Sequence, residues 1–230
     1  KSFGTLTVLN DISLVIPPGA TTAIIGPSGT GKSVTLKLIV GLLAPDAGQV
    51  RCFGVDMATA SEKALYRVRR RFGMLFQDGA LFDSMTVGEN IAFPLVHHHP
   101  ELSEAERRKR VEEKLELVEL PGVYNRPTAS LSGGQRKRVG LARAIITEPE
   151  VVLFDEPNSG LDPITSNAID DLIVRMKEAM GVTFVVISHD IVGTINIADH
   201  IAMLSGGKVI EWAPTDQFVR SREPLVRGFL

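Results

Sequence analysis

The sequence has a single cysteine, Cys52, in 230 residues. A lone thiol cannot close an internal disulfide, and it suits a reducing compartment. Long apolar runs are also missing: none approaches the roughly 18 residues needed to span a bilayer, and no secretory leader opens the chain. Nor is there an excess of one charge. A formal net charge of -2 gives no general attraction to nucleic acid or anionic lipid. No internal repeat or low-complexity linker interrupts the chain. These absences lead to the expectation of a soluble, cytoplasmic protein that does not bind nucleic acid. The chain opens on Lys1, partway into what reads as a strand or turn, so a short preceding segment is expected. What remains, at 44% hydrophobic, is enough for one domain with a full core and an insertion.

The stretch Gly26-Pro27-Ser28-Gly29-Thr30-Gly31-Lys32-Ser33 fits G-x-x-x-x-G-K-[ST]. Its flanks read as a buried strand at Thr21–Ile25 and an apolar-periodic helix at Val34–Val40 that stops at Gly41. Glycines at 26, 29 and 31 let successive backbone N–H groups converge on one anion, and the helix start adds unpaired donors. Lys32 would reach the β- and γ-phosphates, and Ser33 would place its hydroxyl on Mg²⁺. A glycine-rich turn before an ordinary helix is the plainer alternative. Strand, helix and Lys-Ser pair together favour a nucleotide-phosphate site.

Upstream, Leu6–Leu9 and Ile12–Ile16 read as strands, and Phe3 is either an adenine platform or ordinary edge packing. Downstream, Gln49–Phe53 reads as a strand, and the run Arg67, Arg69, Arg70, Arg71 as a solvated face. Phe72–Phe76 reads as a buried strand ending at Gln77. Residues 78–92 read as a loop carrying Leu81, Phe82 and Met85, which either pack beneath it or form a docking surface. His97-His98-His99-Pro100 reads as an exposed turn, since three consecutive side chains cannot converge on one ion. Ser103–Val118 is a charged amphipathic helix with an apolar stripe of Val111, Leu115 and Val118.

Further on, Leu131-Ser132-Gly133-Gly134-Gln135 leads into a helix to Ile146. Ser132 is a suitable N-cap, and the glycines expose donors, which makes a second anion site. The apolar strand Glu150–Phe154 ends in Asp155-Glu156. Two carboxylates there cost desolvation energy unless a cation compensates. Asp155 on Mg²⁺ and Glu156 polarising water fit; a helix-capping acidic pair is the alternative. Asn158–Pro163 is a turn before a helix at Ile164–Met180. The strand Thr183–Ser188 ends at His189, which either donates to a γ-phosphate or is structural. Gly206-Gly207 marks a hairpin between Ile201–Leu204 and Val209–Trp212, and short helices close the chain at Asp216–Arg220 and Pro224–Phe229.

Strands alternating with helices imply a mostly parallel α/β sheet. With the motifs Gly26–Ser33, Gln77, Leu131–Gln135, Val151–Glu156, Ser159–Asp162 and His189 in this order, the chain resembles the ATP-binding-cassette family over nearly its whole length. That resemblance implies a RecA-like phosphate-loop core (1–77 and 148–230), an antiparallel β subdomain, and a helical subdomain inserted at about 78–147. It implies ATP contacts at Phe3, Gly26, Pro27, Ser28, Gly29, Thr30, Gly31, Lys32, Ser33 and Val34, and Mg²⁺ at Ser33, Gln77 and Asp155. Glu156, His189, Gln77 and Lys32 would be catalytic. A second copy would supply Leu131, Ser132, Gly133, Gly134, Gln135 and Asp162 in trans, so a homodimer would hold two ATP molecules. The segment after Gln77 would receive a membrane-spanning permease at the cytoplasmic face of the inner membrane.

More narrowly, Leu75–Phe82, Asn90–Leu95, Asp155–Thr165 and Pro224–Leu230 are similar to ATPases of Mla/Mce-type lipid-trafficking transporters. This implies phospholipid cargo, with a small regulatory subunit of sulfate-transporter/anti-sigma (STAS) type and a lipid-binding MCE-type subunit as candidate partners. A polar amino-acid or small-solute importer shares every catalytic motif and is the first alternative. A soluble cassette ATPase acting on DNA or ribosomes lacks support, since no coiled-coil heptads and only one cassette are present. A nucleotide-binding regulator without turnover would not need Glu156.

Overall fold

A computed structural model describes residues 1–230. In chain order the elements are β1 (Ser2–Phe3), β2 (Leu6–Thr7), β3 (Thr21–Ile25), α1 (Lys32–Ile39), β4 (Arg51–Cys52), β5 (Val55–Asp56), α2 (Glu62–Arg69) and β6 (Phe72–Leu75). They continue with α3 (Val87–His98), α4 (Glu104–Leu117), a 3-10 turn (Thr128–Ser130), α5 (Gly133–Ile145), β7 (Val151–Asp155) and α6 (Pro163–Met180). The chain ends with β8 (Thr183–Ile187), α7 (Ile191–Ile197), β9 (His200–Ser205), β10 (Lys208–Pro214), α8 (Thr215–Phe218) and α9 (Pro224–Phe229). Two compact units form, Lys1–Arg69 with Gly181–Leu230, and Arg70–Met180.

In the first unit, β3 pairs in parallel with β8 on one side and β9 on the other, and β10 adds antiparallel to β9. All five residues of β3 and of β8 are buried, threonines at their starts included, as strands covered on both faces require. Ala23, Ile25, Ile201 and Met203 meet Phe218 and Val226 of the closing helices in one core cluster. Gly206 and Gly207, both at positive φ, close the β9–β10 turn. Two short antiparallel ribbons, β1–β2 and β4–β5, complete the strands. The strand expected at Ile12–Ile16 does not form. Ile12, Leu14 and Ile16 are half-buried while Ser13 and Val15 are exposed, an extended alternation outside any ladder.

The second unit is built on the parallel pair β6–β7. Helix α5 packs against β6, α3 and α4. Its close approach needs Gly73, where a Cβ would lie 2.0 Å from the Ala144 carbonyl oxygen. The loop expected at 78–92 is a helix from Val87 onward. Thr86 and Glu89 form a reciprocal cap: Glu89 N–H donates to Thr86 Oγ1 at 3.3 Å, and Thr86 N–H to Glu89 Oε2 at 2.7 Å. The same helix absorbs His97 and His98, so the exposed turn expected there begins only at the C-cap, His99. Helices α4, α5 and α6 fall where the apolar periodicity places them.

The arginine run is not simply a solvated face. Arg69 donates to the Val40 and Gly41 carbonyls at 3.1 and 2.7 Å, satisfying the end of α1. Arg70 donates to His98 O at 3.0 Å, and Arg71 forks onto Glu150 at 2.5 and 2.6 Å. The sequence could not reveal these acceptors, because each lies at least 28 residues away.

Candidate functional site

In the first unit, β3 runs straight into Gly26, and the loop ends at Gly31, the N-cap of α1. Gly26, Gly29 and Gly31 have φ of 144°, 79° and 96°, so the loop's curl depends on residues without a Cβ. At Gly26 a Cβ would lie 2.1 Å from Leu204 O, and at Gly31 2.5 Å from a Leu9 methyl. Lys32 is only 6% exposed, and its ammonium donates to Gly26 O at 2.7 Å and Pro27 O at 3.0 Å. Thr30 Oγ1 donates to Pro27 O at 2.9 Å and ties the loop to itself. Pro27, Ser28 and Gly29 are exposed, and Ser33 and Val34 are half-buried.

The start of α1 differs from those of α3, α4, α5, α7 and α9. Each of those accepts a side-chain cap, whereas α1 has none and no acidic residue in its first turn. A helix start without a side-chain cap presents backbone amides and a positive dipole end that suit a phosphate.

His189 leaves the end of β8, beside the end of β3, and is exposed. Its neighbours fix that turn: Asp190 N–H donates to Ser188 Oγ at 2.9 Å, and the Asp190 carboxylate caps α7. Phe3 stands on β1 at 46% exposed, with Lys1 Nζ 5.6 Å from its ring centre.

In the second unit, Gln77 and Glu156 follow the last ladder pair of β6 and β7, Leu75↔Phe154. Gln77 Nε2 donates to Ser159 Oγ at 3.2 Å. Its Oε1 is an amide oxygen of the kind that suits a hard cation. Asp155 and Glu156 are half-buried. Glu156 has φ of 50°, an uncommon conformation for a non-glycine residue. The acidic residue at the start of α6 is Asp162. Its carboxylate accepts from Ile164 N–H at 3.1 Å, Thr165 N–H at 3.0 Å and Thr165 Oγ1 at 2.6 Å. The Thr165 hydroxyl and amide hold its pKa below the usual carboxylate value.

At the α5 start, Ser132 and Gln135 cap one another: Gln135 N–H donates to Ser132 Oγ at 3.3 Å, and Ser132 N–H to Gln135 Oε1 at 3.1 Å. Ser132 and Gly133 are exposed, open to an incoming group, while Leu131 is buried and anchors the turn. Gly134 is buried against Thr165, whose methyl would lie 2.6 Å from an added Cβ.

Four residues outside the predicted site hold the segment after Gln77. Asn90, fully buried, accepts from Phe82 N–H at 2.8 Å and donates to Phe82 O at 3.1 Å and Thr86 O at 3.0 Å. Arg143 donates to Gly79 O at 2.6 Å and Ala80 O at 2.8 Å, and Arg136 reaches Asp83 at 3.3 Å. Lys137 donates to Gln77 O. Burial pulls the Lys137 ammonium below its usual range, opposed by the carboxylates of Asp78, Glu156 and Asp155. No local pattern signals these contacts; a lysine and two arginines on α5 read only as helix-surface charge. Of the apolar residues expected either to pack or to dock, Leu81 is buried and Phe82 is exposed. Phe82, Phe93, Phe72, Phe76 and Pro94 line a groove of about 430 Å³ with Arg143.

Comparison with known proteins adds the following. The ABC transporter family profile matches residues 9–159. "Probable ribonucleotide transport ATP-binding protein mkl" of Mycobacterium leprae is 42% identical over 230 residues, which is all of this chain and 66% of that protein. The intermembrane phospholipid transport system ATP-binding protein MlaF of Escherichia coli K12 is 42% identical over 227 residues, 99% of this chain and 84% of MlaF. The chain thus spans 64–66% of the length of the mkl proteins. Among solved structures, the dimeric ATP-binding cassette MJ0796 in a post-hydrolysis state with ADP and Pi superposes with a TM-score of 0.83 at 34% identity, covering 90% of each chain.

Proposed function

The chain belongs to the ABC transporter family, and from that premise we propose that it is the ATP-binding and ATP-hydrolysing subunit of a membrane transporter. The observation that carries this is the uncapped α1 N-terminus, reached through three positive-φ glycines and joined by buried Lys32. Loop amides and Lys32 bind the β- and γ-phosphates, and Pro27, Ser28, Thr30 and Val34 complete the cradle. Phe3 stacks on the adenine. Ser33, Gln77 and Asp155 offer hydroxyl, amide and carboxylate oxygens, the hard donors that Mg²⁺ prefers. When bound, the ion neutralises charge on the phosphate oxygens. Glu156 polarises the attacking water, and His189 donates to the γ-phosphate.

Exposed Ser132 and Gly133 support a composite site. A second copy presents Leu131–Gln135 and Asp162 to the ATP held by Lys32 of the first, so turnover waits for dimer closure. The chain serves as a single nucleotide-binding domain whose residues 78–147 form the helical insertion. The groove beside Phe82 receives the permease at the cytoplasmic face of the inner membrane. No helix of the chain itself is long and apolar enough to cross a membrane.

The cargo we propose is phospholipid moving between membranes, with the regulatory STAS-type and lipid-binding MCE-type subunits as further partners. Similarity to MlaF over nearly the whole chain supports this; the name of the mkl relatives points instead to ribonucleotides.

Two measurements test the proposal. Glu156→Gln is expected to keep ATP binding while turnover falls by about a hundredfold or more. Full turnover by that variant removes Glu156 from its role. Co-purification from membranes tests the cargo: a permease carrying phospholipid supports the assignment, and a solute-importer permease overturns it.

A further inference from the structure

Lys137 lies one turn inside α5 and is 4% exposed. Lysine is seldom buried so completely, because the ammonium loses its hydration, and an apolar residue would avoid that cost. Its Nζ donates to the carbonyl of Gln77 and, at 3.3 Å, to the carbonyl of Glu156. Both acceptors lie just past the last ladder pair of β6 and β7. The Glu156 carbonyl also accepts Ser159 N–H at 3.1 Å, and the Gln77 amide donates to Ser159 Oγ at 3.2 Å. The contacts therefore close a ring: Lys137 to Gln77, Gln77 to Ser159, Ser159 to Glu156, and Glu156 back to Lys137.

We propose that Lys137 is a positioning residue that fixes Gln77 and Glu156 relative to each other and ties both to the signature end of α5. This rests on the catalytic reading of Glu156 and Gln77 given above. The ring explains how Glu156 is held at φ of 50°, a conformation that persists only where surrounding contacts impose it. It also gives α5 a mechanical role. Ser132 caps the same helix that carries Lys137, so a nucleotide engaging Ser132 from a partner copy acts, through one rigid helix, on the Gln77 and Glu156 of its own chain. Events at one ATP would thereby prepare the hydrolytic groups of the other.

The test uses the full-length protein with Lys137→Met, which keeps the length but deletes the donors, and with Lys137→Gln and Lys137→Arg, which retain them. Steady-state ATP hydrolysis, affinity for a non-hydrolysable ATP analogue and melting temperature are measured for each. The expected result for Lys137→Met is a kcat lower by on the order of tenfold to a hundredfold, the scale of a misplaced reacting group, with KM and analogue affinity changed less than about threefold. Lys137→Arg or Lys137→Gln recovers part of the turnover. A folded Lys137→Met with wild-type kcat overturns the proposal. So does a parallel fall of kcat, affinity and melting temperature that neither donor-bearing variant relieves. Should Lys137→Met fail to fold, the other two decide: both folded, both binding the analogue, and both without turnover is the contrary result. Failure of the parent reading looks different, as wild-type protein that does not bind the analogue or as Glu156→Gln turning over at the wild-type rate.

Discussion

Gly26 shows how one missing side chain decides a loop. Its φ of 144° is closed to most residues, and a Cβ would meet the Leu204 carbonyl oxygen at 2.1 Å. Backbone cannot retreat as a flexible side chain can, so Gly26→Ala is expected to cost about 1–3 kcal/mol of stability. The same change should weaken ATP binding by more than tenfold, a loss of roughly 1.4 kcal/mol or greater. Thermal melting and nucleotide titration check the pair; unchanged ATP affinity would contradict the loop's assigned role. The motif made this glycine legible, but not its neighbour Leu204, which lies far along the chain. Asn90 is the opposite case. Asn90 opens a segment that carries the narrower resemblance, but nothing in the sequence reveals that its amide satisfies both polar groups of Phe82. Asn90→Leu strands those groups and is expected to cost about 1–3 kcal/mol in chemical denaturation. A loss near zero would show that water replaces the amide.

At the scale of elements, reciprocal caps fix the starts of α3 and α4. Glu89 and Glu106 close reciprocal caps with Thr86 and Ser103, and hydrogen bonds from those partners hold both carboxylates below the ordinary value of 4.5. The sign follows directly. A carboxylate whose folded value is depressed contributes stability in full above its unfolded value, and that contribution is lost as pH falls through the folded one. Acid unfolding should therefore steepen below about pH 4.5, and the double variant Glu89→Gln, Glu106→Gln should lose stability at neutral pH, where that contribution is in full, and converge with the wild type in acid, which flattens the limb. An unaltered acid limb would contradict the assignment. Ser132 was legible as a cap in the sequence, whereas the Ser103–Glu106 and Thr86–Glu89 caps emerge from the structure. Apolar residues at 78–92, with Gly88 and Pro94 weakening helix propensity, concealed the Thr86–Glu89 cap. Helix α3 forms there because Gly88 lets the Tyr124 ring approach to 2.5 Å of where a Cβ would be, a tertiary effect that propensity cannot anticipate.

At the scale of the whole molecule, the motif order made the phosphate loop, the acidic strand end and the signature helix legible together. The contacts that bind them were not, because they run from side chains to distant backbone carbonyls, as from Lys137 to Gln77. The central claim is that each chain holds two half-sites, one at Lys32 and one at Ser132, completed only by a second copy. Mixing two defective proteins tests this most directly. On a Glu156→Gln background, Lys32→Ala in one preparation and Ser132→Arg in another should each abolish ATP-dependent dimerisation in sedimentation. In the mixture, one of the two composite sites is intact, carrying Lys32 from one protein and Ser132 from the other. The account predicts that ATP then brings back a dimer holding about one nucleotide per pair. A mixture that stays monomeric with saturating ATP, while the Glu156→Gln parent dimerises, would contradict it.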